Sequence, residues 1–414
     1  MAIIKPFKAI RPTRDKAALA TSRSYEAYKE DELNAALDFN PYSFLHIIKS
    51  GYTENESYTG EERFNLVREK YHEFKNDLIY QKDKKQSYYL HQKTFEDDLF
   101  WGIIAVANVE DYQNNVIKKH EATIQQKEEL FGNYLNITGF NAEPVLLTYP
   151  DSNLINRIYA KYASKRSEYE FTTHTKRTHK FWIIDDDLDI FSIEKEFAQM
   201  DCIYIADGHH RSASSNYLAN KLKSENPNHH GEEDYNYFMS YLISDANLQI
   251  TAFDRFIKDL NGLSKTAFLE ALNLTYRIEN RGKERYTPSK KHHFSMYLDG
   301  QYYSLYLRNM DYKINNAKSD LDPHIIYKTI IKPILGIEDL STDTRIKCLP
   351  AKFDDQQLKN QVDSGKYKVG FRLFPVSTTQ LKAVADENLK MPPKSTYIEP
   401  KLRSGLTIFE MKAH

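Results

Sequence analysis

Cys202-Ile203-Tyr204-Ile205-Ala206-Asp207-Gly208-His209-His210-Arg211-Ser212-Ala213-Ser214-Ser215-Asn216-Tyr217 decides the fold class of this chain. The apolar run to Ala206 describes a buried strand, and the residues after it a helix over Arg211–Ser224, with Asp207-Gly208 as the turn between them. Gly208 permits positive φ and close approach of a ligand to the backbone. A helix start offers amides and the positive end of the helix dipole to an anion. His209, His210 and Arg211 add donors at the same place, and arginine grips phosphate or carboxylate bidentately. Strand, acidic turn and basic helix start together describe a phosphate pocket, with Ser212 inside it. The plainer alternative is that Asp207 only caps the helix while the histidines sit exposed. Zinc ligation by His209 and His210 is disfavoured, because adjacent histidines diverge and no His-Glu-x-x-His helix occurs.

Outward from this stretch, strands are expected within residues 1–12 and over Gln86–Gln92, Phe100–Val109, Glu143–Tyr149, Lys180–Ile184, Tyr235–Ile243, Lys368–Phe374 and Ser404–Met411. His293–Leu298 and Tyr302–Leu307 alternate around Asp299-Gly300, a hairpin signal. Helices are expected over Glu61–Tyr80, where Phe64, Val67, Tyr71, Phe74 and Leu78 recur at helical spacing, and over Ile193–Met200, Leu263–Asn273 and Thr378–Asn388. Another is expected over Pro323–Leu335, with Asp322 as cap. Strands and helices mix without a regular alternation, which predicts an α+β fold with mixed sheets and flanking helices. The division expected is an N-terminal region 1–250 carrying the phosphate turn and a C-terminal region 251–414 whose proline-rich loop returns to the site, with one interleaved unit as the alternative.

The 414 residues hold 57 Lys+Arg and 58 Asp+Glu, a formal charge of −1. A nucleic-acid binder ordinarily carries a basic excess, so nucleic acid is not the expected partner. Two cysteines, Cys202 and Cys348, are too few for a disulfide framework and lack zinc spacing. The longest apolar run, Leu99–Ala107, is interrupted by Gly102 and reaches about half of a ~20-residue membrane span. A cytoplasmic protein with no membrane association is expected. The mean hydropathy of −0.66 partly reflects 30 tyrosines, which pack as rings with one polar tip.

Two further constellations carry possible chemistry. Tyr112–Gly132 is expected as a charged helix bearing Lys118-Lys119-His120-Glu121. His120, Thr123 and Lys127 would then share a face. A histidine beside Glu121 suits proton transfer, although a solvated helix reads the same way. Met391-Pro392-Pro393-Lys394-Ser395-Thr396-Tyr397-Ile398-Glu399-Pro400-Lys401 is a proline-stiffened loop whose Lys394, Ser395, Thr396 and Lys401 can hold a ligand with little loss of entropy. Arg255 follows a strand and can point into a cleft. Residues Ala160–Lys180 carry six Lys/Arg against two Glu, a local basic patch.

Ile4-Lys5-Pro6-Phe7-Lys8-Ala9-Ile10-Arg11-Pro12, Asn40-Pro41 through His46, Ile117-Lys118-Lys119-His120-Glu121-Ala122-Thr123, Ala206 through Arg211, and Pro392-Pro393-Lys394-Ser395-Thr396-Tyr397 occur in this order. In that combination the chain resembles the DUF1015 family over essentially its whole length. It departs from the family pattern at Asp254-Arg255, where a His-Arg pair is expected, so only Arg255 is carried over. It departs again at Ile398-Glu399, in place of an aromatic pair, and at Ser24-Tyr25-Glu26-Ala27, in place of a proline-tyrosine-aspartate stretch.

The resemblance implies a phosphate-binding core distantly similar to ParB/sulfiredoxin-like proteins, among which are free-serine kinases, and chemistry on serine or phosphoserine. The expected reaction is phosphoryl transfer with ADP or ATP and Mg²⁺. Gly208, Arg211, Ser212, Lys119, Arg255, Lys394, Ser395, Thr396 and Lys401 would bind phosphate or nucleotide. Asp207, His209, His210, His120 and Glu121 would be catalytic, Asp207 also as magnesium ligand. Expected partners are a small anionic substrate such as phosphoserine, or serine plus nucleotide, with a homodimer left open. The alternatives are a phosphoserine phosphatase and, in another class, a nucleotide-binding ParB-like regulator.

Overall fold

The computed structural model describes residues 1–50, 59–308, 312–351 and 356–411, apart from the Glu26 side chain. The fold is α+β and divides into two units. The first holds residues 1–119, 123–248 and 400–414; the second holds 120–122 and 249–399. Residues 400–411 therefore belong with the first unit, where a linear division at 250/251 puts them in the second.

The first unit is built on a nine-stranded mixed sheet. Its strands run in the order Ile117–Lys118, Ile203–Asp207, Val145–Tyr149, Tyr237–Ser244, Asp98–Asn108, Tyr88–Phe95, Thr178–Ile184, Tyr169–Thr172, with Ile4–Lys5 paired on Asp98–Asn108. Ile203–Asp207 runs parallel to Ile117–Lys118, and Tyr237–Ser244 parallel to Val145–Tyr149; the other pairings are antiparallel. Asp98–Asn108 is the long apolar run of the sequence. Its Gly102 has a physical reason: a Cβ there would come within 2.2 Å of the Tyr241 ring. One sheet face is apolar, with Leu90, Ile103, Ala105, Leu147, Ile203, Ile205 and Leu242 packed under helices Asn153–Ala163, Asp187–Ala198 and His209–Glu225.

The opposite face carries a buried imidazole pair. His91 Nε2 and His179 Nδ1 lie 3.0 Å apart with their rings stacked, and Phe171 stacks on His179. Residues 400–411 tie into this unit at several points. Ser22 pairs with Ser404 and Ile10 with Ile408 as single bridges, and Phe409–Glu410 pairs with Phe140–Asn141. Tyr80 Oη donates to the Gly405 carbonyl at 3.0 Å.

The second unit is a six-stranded antiparallel sheet in the order Tyr276–Gly282, Gln301–Leu307, His293–Leu298, Val369–Leu373, Phe253–Ile257, Ile346–Pro350. The Asp299-Gly300 hairpin forms as expected, both residues having positive φ. Phe268, Phe294, Leu305, Ile326 and Phe371 are among the core on one face; Phe256, Tyr297 and Leu358 pack on the other.

Four local expectations give way. Helix Gly60–Asn76 buries Phe64, Val67, Tyr71 and Phe74 but ends before Leu78, which is exposed at φ 56°. The helix expected over Tyr112–Gly132 is three pieces: helix Val109–Gln113, strand Ile117–Lys118 and helix Gln125–Thr138. Asn115, at φ 59°, breaks the first turn, and Ile117 is taken by the sheet. His120 and Thr123 therefore share no helix face with Lys127. The helix after Leu321 starts at Asp322, so Leu321 is its cap, and after Ile326 it continues as the π-helical segment Tyr327–Ile331. The final strand shrinks to Phe409–Glu410. No helix among the described residues is long and apolar enough to cross a membrane.

Candidate functional site

In the first unit, strand Ile203–Asp207 carries Asp207 at its C-terminal end, past an irregularity in its pairing. Ile205 pairs with Leu147, yet Asp207 pairs with the next residue along, Leu146. The slip re-aims Asp207 to the side opposite Ile205, a use of bulges common beside active sites. Gly208 follows at φ 99° as N-cap of helix His209–Glu225. A side chain there would be strained by that φ, and its Cβ would lie 3.1–3.2 Å from the Arg211 guanidinium. Arginine thus folds back over the turn because glycine leaves it room.

Arg211 donates from Nη1 to the Pro144 carbonyl at 2.7 Å and from Nη2 to Asp207 Oδ2 at 3.3 Å; Glu143 Oε2 stands 3.8 Å from Nη1. Lys401 Nζ meets the same Asp207 oxygen at 3.3 Å, and Lys93 Nζ holds the Lys401 carbonyl at 3.1 Å. Burial pushes the Asp207 carboxyl up, but Lys401 and Arg211, with His209 adding, outweigh it and hold the group below its ordinary range. The result is an ionised carboxylate between two cations, all three about two-fifths exposed. At the helix start lie the first-turn amides that a helix cannot satisfy itself. This arrangement suits an incoming anion: the cations are preorganised on Asp207, and the dipole end faces the same turn.

His209 is buried and His210 half-buried on that first turn. Ser212 is fully buried, its hydroxyl donating to the His209 carbonyl at 3.0 Å, so it shapes the helix start. Lys119 donates to the Tyr112 carbonyl at 3.0 Å and lies over the Tyr112 ring. Glu143, Pro144, Lys93 and Ser404 were not singled out by the sequence. Ser404 Oγ donates to Glu143 Oε1 at 2.6 Å, linking the C-terminal segment to the carboxylate beside Arg211. The only signal in sequence was a Glu-Pro pair just before a strand.

In the second unit, His120 and Glu121 meet the proline-rich loop. The Met391 amide donates to the His120 carbonyl at 2.8 Å. Burial pushes the Lys390 ammonium down, with Glu121 opposing. His120 is fully buried and Glu121 exposed. Ser395 Oγ donates to the Pro392 carbonyl at 2.6 Å, and Lys394, at φ 54°, places its ammonium 5.7 Å from the Phe253 ring centre. Thr396 is half-buried.

Arg255 has no exposed surface. It donates to the Phe253 carbonyl at 2.5 Å and, from Nη2, to the Lys394 carbonyl at 2.8 Å. These donors are turned onto backbone carbonyls, an arrangement that suits a loop anchor. Its neighbour Asp254 is held bidentately by Arg372, at 3.0 and 2.8 Å. Replacing Arg255 by leucine should free the loop and leave two carbonyls without this donor, at about 1–3 kcal/mol each. Limited proteolysis should then cut within 391–396 faster than in the parent; equal rates would refute the anchoring role.

A family model described as protein of unknown function (DUF1015) matches residues 4–329. No curated protein matches the chain. Among solved structures, a free serine kinase variant in complex with ADP is similar at 12% identity and a TM-score of 0.38, over 75% of this chain and 92% of that one. SbnI from Staphylococcus aureus, with a C-terminal truncation, is similar at 12% identity and 0.36, over 73% and 87%. A conserved hypothetical protein from Pyrococcus furiosus is similar at 12% identity and 0.34, over 73% and 95%. Because the family match runs over well more than half of its length, from the first strand to the π-helical segment, the chain belongs to the DUF1015 family.

Proposed function

We propose that the chain is a phosphotransferase acting between an adenine nucleotide and serine or phosphoserine, with Asp207–Ser212 as its phosphate cradle. The observation that carries the anion-binding part is the left-handed Gly208 at a helix start, with Arg211 and Lys401 converging on Asp207 Oδ2. Serine as substrate, and adenine as base, come from the family resemblance of the sequence motifs.

Phosphoryl transfer asks for positioning and charge neutralisation more than covalent chemistry. In the direction of serine phosphorylation, the bond from the terminal phosphorus to the nucleotide's bridging oxygen breaks and one to the serine hydroxyl oxygen forms. The hydroxyl proton passes to a base. In this reading Arg211 clamps the transferred group, His210 donates to it, and Lys401 neutralises the charge that leaves. An ionised, partly exposed Asp207 fits a hard divalent cation, which ordinarily takes one or two carboxylates plus phosphate oxygens and water. Magnesium bound there would supply further charge neutralisation.

The test is to incubate the full chain with phosphoserine, with and without ADP and Mg²⁺, and to follow ATP and free phosphate. ATP formed only with ADP supports transfer. Free phosphate without nucleotide replaces transfer by hydrolysis at the same turn. Neither product from any phospho-amino acid, together with no thermal shift by ADP or ATP, would overturn both and leave a non-catalytic role.

A further inference from the structure

Within the second unit, helix Lys265–Thr275 and the π-helical segment Tyr327–Ile331 flank a cleft of about 740 Å³. That volume lies within the range of small-molecule sites, roughly 300–1,000 Å³. The third wall is the strap from Tyr312 to Ser319. Lys313, Lys318, Lys328 and His324 line the cleft, and among the described residues no aspartate or glutamate does. Among the described residues none of these lysines has a carboxylate oxygen within 4 Å. Among the described acids, Asp320 pairs with Lys291 and His292 and Glu338 with Lys332, while Glu387 accepts from the Ala317 amide of the strap at 3.0 Å.

The charged side chains lining the cleft are thus cationic among the described residues, and a titratable neighbour registers them. Burial pushes His324 down, and Lys318 and Lys328 push it further. The walls are held in shape. Ser319 Oγ accepts from the amides of Asn315 and Asn316 at 2.9 and 3.0 Å, which fixes the strap. Thr329 donates to the Ile325 carbonyl at 2.7 Å and meets Tyr276 Oη at 2.6 Å, which fixes the π-helical wall. Such π segments recur at functional sites. Beside the lysines the lining is mixed: Asn315, Asn316 and Thr275 are polar, and Pro333, Ile334 and Leu274 apolar, the last 77% exposed.

We propose that this cleft is a second ligand site, for a small molecule that carries a phosphate or carboxylate anion on an apolar body. It is separate from the turn at Gly208 and does not depend on the phosphotransferase reading. The lysines would neutralise the anion; Leu274, Pro333 and Ile334 would cover the apolar part.

Calorimetric titration of the full chain with phenyl phosphate, benzoate and inorganic phosphate tests it. Phenyl phosphate or benzoate should bind more tightly than inorganic phosphate, and the tighter of the two identifies the anion. The double variant Lys313→Gln/Lys328→Gln should weaken that binding at least tenfold, and Leu274→Glu should weaken it as well. Arg211→Ala should leave it within twofold. The lysines are exposed, so the fold should persist, as circular dichroism would confirm; an unfolded double variant would pass the decision to Leu274→Glu. Unchanged affinity in the lysine and leucine variants, loss confined to Arg211→Ala, or no binding of any probe at millimolar concentration would overturn the proposal.

Discussion

Replacing Arg211 by alanine should lower the phosphotransfer rate, measured as ATP formed from phosphoserine and ADP, by about a hundredfold or more. The guanidinium is held from two sides, by the Pro144 carbonyl and Asp207, so it is oriented before any ligand arrives. Removing one preorganised donor to developing charge typically costs ~2.7–4 kcal/mol of transition-state stabilisation, a factor of about 10²–10³. Arg211→Lys should not restore the rate, because a single ammonium cannot reproduce the planar fork that reaches both partners. Stability should change little, since the side chain is more than a third exposed. The comparison that decides is kcat/KM against the denaturation midpoint. A large fall in stability with the rate preserved in the surviving folded fraction would make Arg211 structural and leave the cradle without its clamp.

The second large effect is on acid stability. Burial pushes His91 down to about 3, with Lys93 and Arg403 adding, and lowers its partner His179 likewise. Both are folded as neutral rings, whereas an exposed histidine titrates near ~6.5. The unfolded chain therefore binds more protons on acidification. The stability these residues carry is complete above about pH 6.5 and is lost as pH falls towards the folded-state values. Between pH 7 and pH 5 the linkage amounts to about 2 kcal/mol for each histidine. Urea denaturation at those two pH values should show the parent losing that stability, and the double variant His91→Phe/His179→Phe losing about 4 kcal/mol less on acidification. Parallel losses in the two proteins would show that the pair does not titrate on unfolding.

Where local chemistry dominates, the sequence was legible. The strand expected to end at Ala206 runs one residue further, to Asp207, and the helix expected from Arg211 starts at His209, but the turn between them at Gly208 forms as expected, with the positive φ that glycine permits. The Asp299-Gly300 hairpin followed for the same reason. Where a distant segment decides, it was not. Ile117–Lys118 reads as part of a charged helix until the parallel strand Ile203–Asp207 claims it. Ile408 alternates like a strand residue but makes only a single bridge, to Ile10. Asp322 has the composition of a cap, yet its carboxylate accepts from the His292 amide at 2.8 Å, a partner 30 residues away. Around the turn, the crowding of Asp207 through Arg211 is visible in the sequence, but the convergence of Arg211 and Lys401 on one Asp207 oxygen is not. Glu143, Lys93 and Ser404 carry no motif and enter only through tertiary contacts. Arg255 was found, but its destination in the interior was not.

The placement of residues 400–411 has a consequence for biosynthesis. These residues follow the whole of the second unit in the chain, yet they supply Lys401 to Asp207 and Ile408 to the first unit's core. The first unit, begun first on the ribosome, is thus finished last. Until residue 411 has emerged, a nascent chain has its anion turn without one of the two cations and its sequences near Ile10 and Phe140 without their cover. Pairings between segments so distant in sequence form slowly, and incomplete forms expose surfaces that aggregate. A frameshift or premature stop between 251 and 400 would damage the unit that precedes it as much as the one it interrupts.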